Sequence, residues 1–169
     1  GQLRNFARKS VGQPQSVDLE TVIDGALDLL EPRIARVGAA VLRQPSVPGL
    51  RASCDPNRVQ QVRVNLISKA LDAMEGGSQH PIEIACLQTG DWAQITVRDH
   101  GPGLSEQVLP HLFEPFFTTK PESQGLGLGL SLSADIARAS GGSLTGGNHP
   151  EGGAIFTLSL PLVDTLPLS

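Results

Sequence analysis

The chain has 169 residues, 39% hydrophobic and 18% charged, with a formal charge of −4 and a pI of about 5.5. That length carries one domain with its own core. The acidic balance excludes a nucleic-acid-binding face, which needs clustered Lys and Arg, and no stretch reaches the ~20 apolar residues of a membrane span.

Leu3, Phe6 and Ala7 sit at helical spacing among Arg4, Arg8 and Lys9, until Gly12 and Pro14 end the pattern. An extended entry at 16–18 leads to a helix capped by Asp18, with Val22, Ile23, Ala26, Leu27, Leu29 and Leu30 apolar, closing near Gly38. Pro32 interrupts that helix and argues for a break. Strands follow at about 39–43 and 50–53, then a helix over 56–75 capped by Asp55 with Pro56 in its first turn. Its expected core face is Val59, Val62, Leu66, Ala70 and Ala73; Gln61, Asn65, Lys69 and Asp72 share a second face. Strands are expected at 81–88 and 92–98, a short helix at 105–112, an irregular stretch at 113–125, a helix at 128–140, and strands at 142–147 and 153–160. This order predicts an α+β fold, a two-layer α/β sandwich: a mixed, mainly antiparallel sheet covered on one face by helices. Two cysteines, Cys54 and Cys86, are too few for a disulfide framework and read as buried free thiols.

Four local patterns carry chemistry. Asn65-Leu-Ile-Ser-Lys69 places two polar groups one helical turn apart, beside the apolar face. Asp99-His-Gly-Pro-Gly-Leu104 follows an apolar strand: a carboxylate at the strand end can accept from a base amino group, and Gly101 and Gly103 let the backbone come close. Phe113-Glu-Pro-Phe-Phe-Thr-Thr-Lys120 sets an aromatic cluster beside Thr118, Thr119 and a lysine able to reach a phosphate. Gly125-Leu-Gly-Leu-Gly-Leu130 enters a helix, where backbone N–H groups and the helix dipole favour phosphate. It is no dinucleotide fingerprint, because no strand leads into it. Each pattern alone has a bland reading as a solvated helix face, a turn or a surface loop.

In this order and spacing, the four resemble the boxes of the histidine-kinase branch of the ATPase superfamily that also contains gyrase B, Hsp90 and MutL. The likeness covers about Val17 to Leu162. The run from Glu114 to Ser133 is most similar to nitrogen- and dicarboxylate-sensing kinases. The resemblance implies a Bergerat-type sandwich that binds ATP or ADP and serves as the catalytic domain of a two-component sensor kinase. Asp99 is then expected to hold the adenine amino group, with Gly101 and Gly103 shaping the pocket. Gly125, Leu126, Gly127, Leu128 and Gly129 are expected to wrap the triphosphate, with Thr118 and Thr119 nearby. Asp72 joins the nucleotide-binding set. Lys120 is expected at the terminal phosphates, and Phe113, Phe116 and Phe117 are expected to set the position of the segment over the nucleotide. Asn65 stands where hydrolysing relatives carry a Glu that activates water; an amide is no general base, which suits transfer to a histidine.

The sequence departs from the family at Lys69, where the resemblance calls for an Asn that ligates Mg²⁺. A protonated Lys has three donors and no acceptor, so no metal ligand is certain and Mg²⁺ use is expected to be impaired. The alternatives are a disabled variant, a lysine that neutralises phosphates in place of the metal, or a nucleotide-binding pseudokinase that signals by conformation. No acceptor motif surrounds His80, His100, His111 or His149, which read as surface or turn histidines. Residues 1–15 resemble the remnant of a dimerisation and phosphoacceptor helix with its linker, 16–163 the catalytic domain, and 164–169 a tail. The expected partners are the phosphoacceptor helical domain of the same kinase and, downstream, a response-regulator receiver domain. The parent is expected to be a homodimer anchored in the inner membrane, with this domain cytoplasmic and by itself monomeric.

Overall fold

A computed structural model describes residues 15–44, 49–74, 80–114 and 124–163, with residues 124–129 described through their backbone alone. Strand β1 (Gln15–Asp18) opens it. Helix α1 (Leu19–Val37) follows directly. Asp18 caps it, its carboxylate accepting from Glu20 N at 3.0 Å. Gly38 closes it at φ 77°, donating back to Ile34 and Ala35. Pro32 does not break the helix. The carbonyl that its missing N–H would have reached belongs to Asp28, an exposed residue, so water can satisfy it.

Strands β2 (Val41–Arg43) and β3 (Arg51–Cys54) precede helix α2 (Pro56–Met74). The Asp55 carboxylate accepts from Asn57 N at 3.0 Å and starts α2. β4 (Ile82–Thr89) and β5 (Trp92–Arg98) form the central hairpin. After a single 3₁₀ turn at Leu109–His111 come α3 (Gln124–Ala139), β6 (Ser143–Asn148) and β7 (Ala154–Pro161). α3 begins four residues earlier than the pattern suggested, because the glycine repeat itself is helical.

The main sheet has five strands in the order β2-β4-β5-β7-β6, with β2 parallel to β4 and every other pair antiparallel. β1 and β3 form a separate pair, bridged to the main sheet between Ala52 and Leu162. Strict alternation buries Ile82, Ile84 and Cys86 on β4, Ala93, Ile95 and Val97 on β5, and Phe156, Leu158 and Leu160 on β7. The helices cover that face, and the other face presents Thr96, Gln94 and Ser159. This is the expected two-layer α+β sandwich with a mixed, mainly antiparallel sheet.

α2 corrects the sequence reading in one respect. Its buried residues include Leu71, Met74 and Arg63 as well as Val59, Val62, Leu66 and Ala70, whereas Ala73 is only half-buried. Arg63 is 0% exposed, and among the described residues none of its three guanidinium nitrogens has a hydrogen-bond partner. Burial pushes its pKa down to about 9, against a smaller opposing pull from Cys86 on β4. Cys54 and Cys86 are buried and free, as expected, and burial lifts the Cys54 thiol to about 11.

Candidate functional site

The site grows out of the end of β5. The alternation that buries Ile95 and Val97 carries Asp99 to the same covered side, where it is 2% exposed. A buried carboxylate needs donors. Asp99 Oδ1 accepts from Gly101 N at 2.8 Å and from Ala154 N at 3.2 Å, while its own N–H donates to Ala154 O at 3.0 Å. Both side-chain bonds fall on Oδ1; among the described residues Oδ2 takes none. The carboxylate is therefore held from behind, with one oxygen available to a ligand.

The glycine loop that follows is confined by sterics. A Cβ on Gly101 would lie 2.6 Å from the carbonyl oxygen of Ala73, so the loop packs directly on the last turn of α2. Gly103 has φ +84°, in the left-handed region, and a Cβ there would lie 2.8 Å from Asn148 Oδ1. The half-burial of Ala73 is explained by this contact: it faces the loop rather than the core.

Asn65 is half-buried on α2, and its Nδ2 donates to Ser133 Oγ on α3 at 3.1 Å. Lys69 is half-buried one turn further along. Asp72 goes elsewhere. Arg33 of α1 donates to the Asp72 carboxylate and to Ser68 Oγ, joining α1 to α2. Asp72, expected in the nucleotide-binding set, is thus paired on the α1 side in this structure.

Gly125, Leu126, Gly127, Leu128 and Gly129 form the opening turns of α3, placing unsatisfied backbone N–H groups at the start of a 16-residue helix. Phe116, Phe117, Thr118, Thr119 and Lys120 lie outside the described residues. Phe113 is half-buried against the core.

Two features escaped the sequence reading. Asn148, at the end of β6, binds the backbone of Leu104 through both ends of its amide. His100 is not a plain turn histidine. Its ring lies 5.0 Å from that of His80, and its Nε2 is 3.2 Å from Glu83 Oε2. Burial lowers the His100 pKa most, helped by Arg98 and His80 and opposed by Glu83 and Asp99. A histidine beside the first glycine loop gave no sign of this cluster, because Glu83 and Arg98 reach it from two different strands.

Among the described residues no group of three or more His, Cys, Asp or Glu side chains is placed to hold a metal ion. No helix among them is long and apolar enough to cross a membrane.

Residues 54–164 match the family described as histidine kinase-, DNA gyrase B-, and HSP90-like ATPase. The chain is 38% identical over 159 residues to the C4-dicarboxylate transport sensor protein DctB of Pseudomonas aeruginosa, covering 94% of this chain and 26% of that protein. It is 35% identical over 164 residues to the C4-dicarboxylate transport sensor protein DctS of Rhodobacter capsulatus, covering 95% of this chain and 24% of that one. It thus spans about a quarter of the length of these relatives. The catalytic domain of histidine kinase ThkA, solved free of nucleotide, superposes with a TM-score of 0.78 at 28% identity, covering 88% of this chain and 95% of that one. ThkA has also been solved in complex with the response regulator protein TrrA, with a TM-score of 0.76 at 25% identity, covering 96% of this chain and 46% of that one.

Proposed function

The chain belongs to the histidine kinase-, DNA gyrase B-, and HSP90-like ATPase family, as a catalytic domain of the sensor histidine kinase kind, and from that premise we propose how its own residues handle ATP. The observation that carries the proposal is the buried Asp99 carboxylate, fixed through Oδ1 with no bond to Oδ2 among the described residues, beside the Gly101–Gly103 loop. Such an oxygen accepts from the amino group of adenine and offers nothing to the carbonyl of guanine. The helix start at Gly125–Gly129 receives the phosphates. Lys120, with Thr118 and Thr119 beside it, adds a charge-assisted contact to the terminal phosphates.

Asn65 orients rather than abstracts. Its amide cannot take a proton, so the attacking group is one that needs no base: a neutral imidazole on a helical phosphoacceptor domain. Transfer then rests on in-line positioning and charge neutralisation. Mg²⁺, which relatives in this family use with ATP, supplies charge neutralisation when bound. Lys69 does not fit a metal ligand, having donors only, and no step is assigned to the ion here. In its place the Lys69 ammonium, one turn from Asn65, neutralises phosphate charge. Comparison with named kinases does not favour a pseudokinase that binds nucleotide without transfer. The phosphohistidine formed would pass to a response-regulator receiver domain. The parent sensor is proposed as a membrane-anchored homodimer with this domain on the cytoplasmic side.

The test pairs a binding titration with a transfer assay. ATP should bind the chain and fail to bind Asp99→Asn, whose amide presents a donor where the base also donates. Phosphohistidine should appear when a helical acceptor domain is supplied. If Asp99→Asn binds ATP as the parent does, Asp99 is not the base acceptor and the site is misplaced.

A further inference from the structure

Asn148 closes β6 and is exposed, yet its side chain makes two hydrogen bonds to a single residue of the first glycine loop. Oδ1 accepts from Leu104 N at 2.7 Å, and Nδ2 donates to Leu104 O at 2.8 Å. The amide orientation is fixed by its partners, since only an oxygen can meet the N–H and only the NH₂ can meet the carbonyl. The side chain thus pairs with a peptide unit as a neighbouring strand would. Among the described residues these are the only hydrogen bonds on the backbone of residues 102–104. Gly103 sits at φ +84° with Asn148 Oδ1 2.8 Å from the place of its absent Cβ, so the amide packs on the loop as well as binding it.

The loop therefore has two separate fastenings. Gly101 is tied to Asp99 Oδ1 and packed on Ala73 of α2. Leu104 is tied to Asn148, the last residue of the edge strand β6. Asp99 reads one atom of a base, whereas the 101–104 backbone forms the wall beside it.

We propose that Asn148 is a positioning residue for base recognition: its bidentate amide holds the Gly103–Leu104 peptide where it shapes the adenine pocket, and so sets affinity for, and selectivity among, purine nucleotides. This rests on the reading of Asp99 as the base acceptor. Without Asn148 the loop backbone regains conformational freedom, and its ordering is then charged to the binding event. Because the residue is exposed, the folded domain loses little.

ADP and GDP would be titrated into the chain, Asn148→Ala, Asn148→Asp and Asp99→Asn, with melting temperatures measured alongside. Asn148→Ala should weaken ADP about tenfold and narrow the ADP-over-GDP preference, with a nearly unchanged melting temperature. Asn148→Asp keeps the acceptor for Leu104 N and loses the donor to Leu104 O, so it should fall between. If Asn148→Ala retains parental ADP affinity and selectivity while Asp99→Asn loses binding, the proposal fails and the base-site reading stands. A parallel fall in melting temperature and ADP affinity with selectivity intact would make Asn148 a stabilising residue only and also overturn it. Unchanged ADP binding by Asp99→Asn would remove the base-site reading and the proposal together.

Discussion

Asn65 on α2 and Ser133 on α3 are 68 residues apart in sequence and meet in a 3.1 Å hydrogen bond, with the serine fully buried between the helices. One helix carries the polar residue assigned to positioning the reacting groups; the other begins with the glycine repeat. The bond ties Asn65 to the helix proposed to receive phosphate. Ser133→Ala should lower phosphoryl transfer by roughly 10- to 100-fold while ADP affinity stays within about twofold of the parent. Measuring single-turnover transfer and ADP binding on the same preparation separates the two effects. A matched loss in both would assign the bond to helix packing alone.

Arg63 is expected to limit stability. Among the described residues its guanidinium is buried with no hydrogen-bond partner. Replacing a buried, poorly satisfied charge with a well-packed apolar group stabilises by about 1–4 kcal/mol. Arg63→Leu should therefore raise the melting temperature by roughly 2–4 °C for each kcal/mol gained. The pH dependence has a definite sign. The folded pKa of about 9 lies well below the ordinary guanidinium value, so the penalty is complete below about 9 and is relieved as pH climbs above it. Urea midpoints should accordingly differ most between parent and variant at neutral pH and converge in strong alkali.

Lys69 predicts how the site responds to metal. ATP binding by the chain should depend little on Mg²⁺, because an ammonium stands where an oxygen donor is needed. Lys69→Asn should make ATP binding and transfer Mg²⁺-dependent. Calorimetric titration with and without the ion checks this, and identical metal dependence in both proteins would remove Lys69 from the phosphate region.

His100 predicts a response on the acid side. Its folded pKa is lowered from 6.5 by burial, by Arg98 and by His80, so the folded state resists a proton that the unfolded chain accepts. Its stability contribution is complete above 6.5 and is lost as pH falls towards the folded value. Between pH 8 and pH 5.5 the melting temperature of the parent should drop more than that of His100→Asn. Equal drops would show that carboxylates elsewhere account for the acid sensitivity.

The fold was largely legible because its signals are local. The strand ranges 81–88, 92–98 and 153–160 came from apolar runs between turns, and Asp18 and Asp55 marked the helix starts. What remained hidden depends on residues distant in sequence. Nothing near Asn148 points to Leu104, nothing near Ser133 points to Asn65, and Arg33 shows no sign of its bond to Asp72 until α1 is laid on α2. The apolar period of α2 passes over Arg63 because a charged residue at that phase reads as a helix edge, whereas in the fold it is fully buried. The glycine repeat was read as a loop entering a helix because isolated glycines lower helix propensity; in the fold the repeat continues the apolar Leu-rich helix instead.

Asp99 is locked by Ala154, the first residue of the last strand, and its glycine loop by Asn148, the last residue of the strand before it. Both fastenings come some fifty residues after the carboxylate in chain order. During synthesis Asp99 and its local contact to Gly101 are thus made long before the last two strands add theirs. A growing chain halted before β7 would contain Asp99, the first glycine loop and the helix for phosphate, and still have no pocket. Nucleotide binding by a nascent chain should accordingly switch on in a single step when the final strand joins the sheet, which makes ATP a reporter of completed folding as well as a substrate.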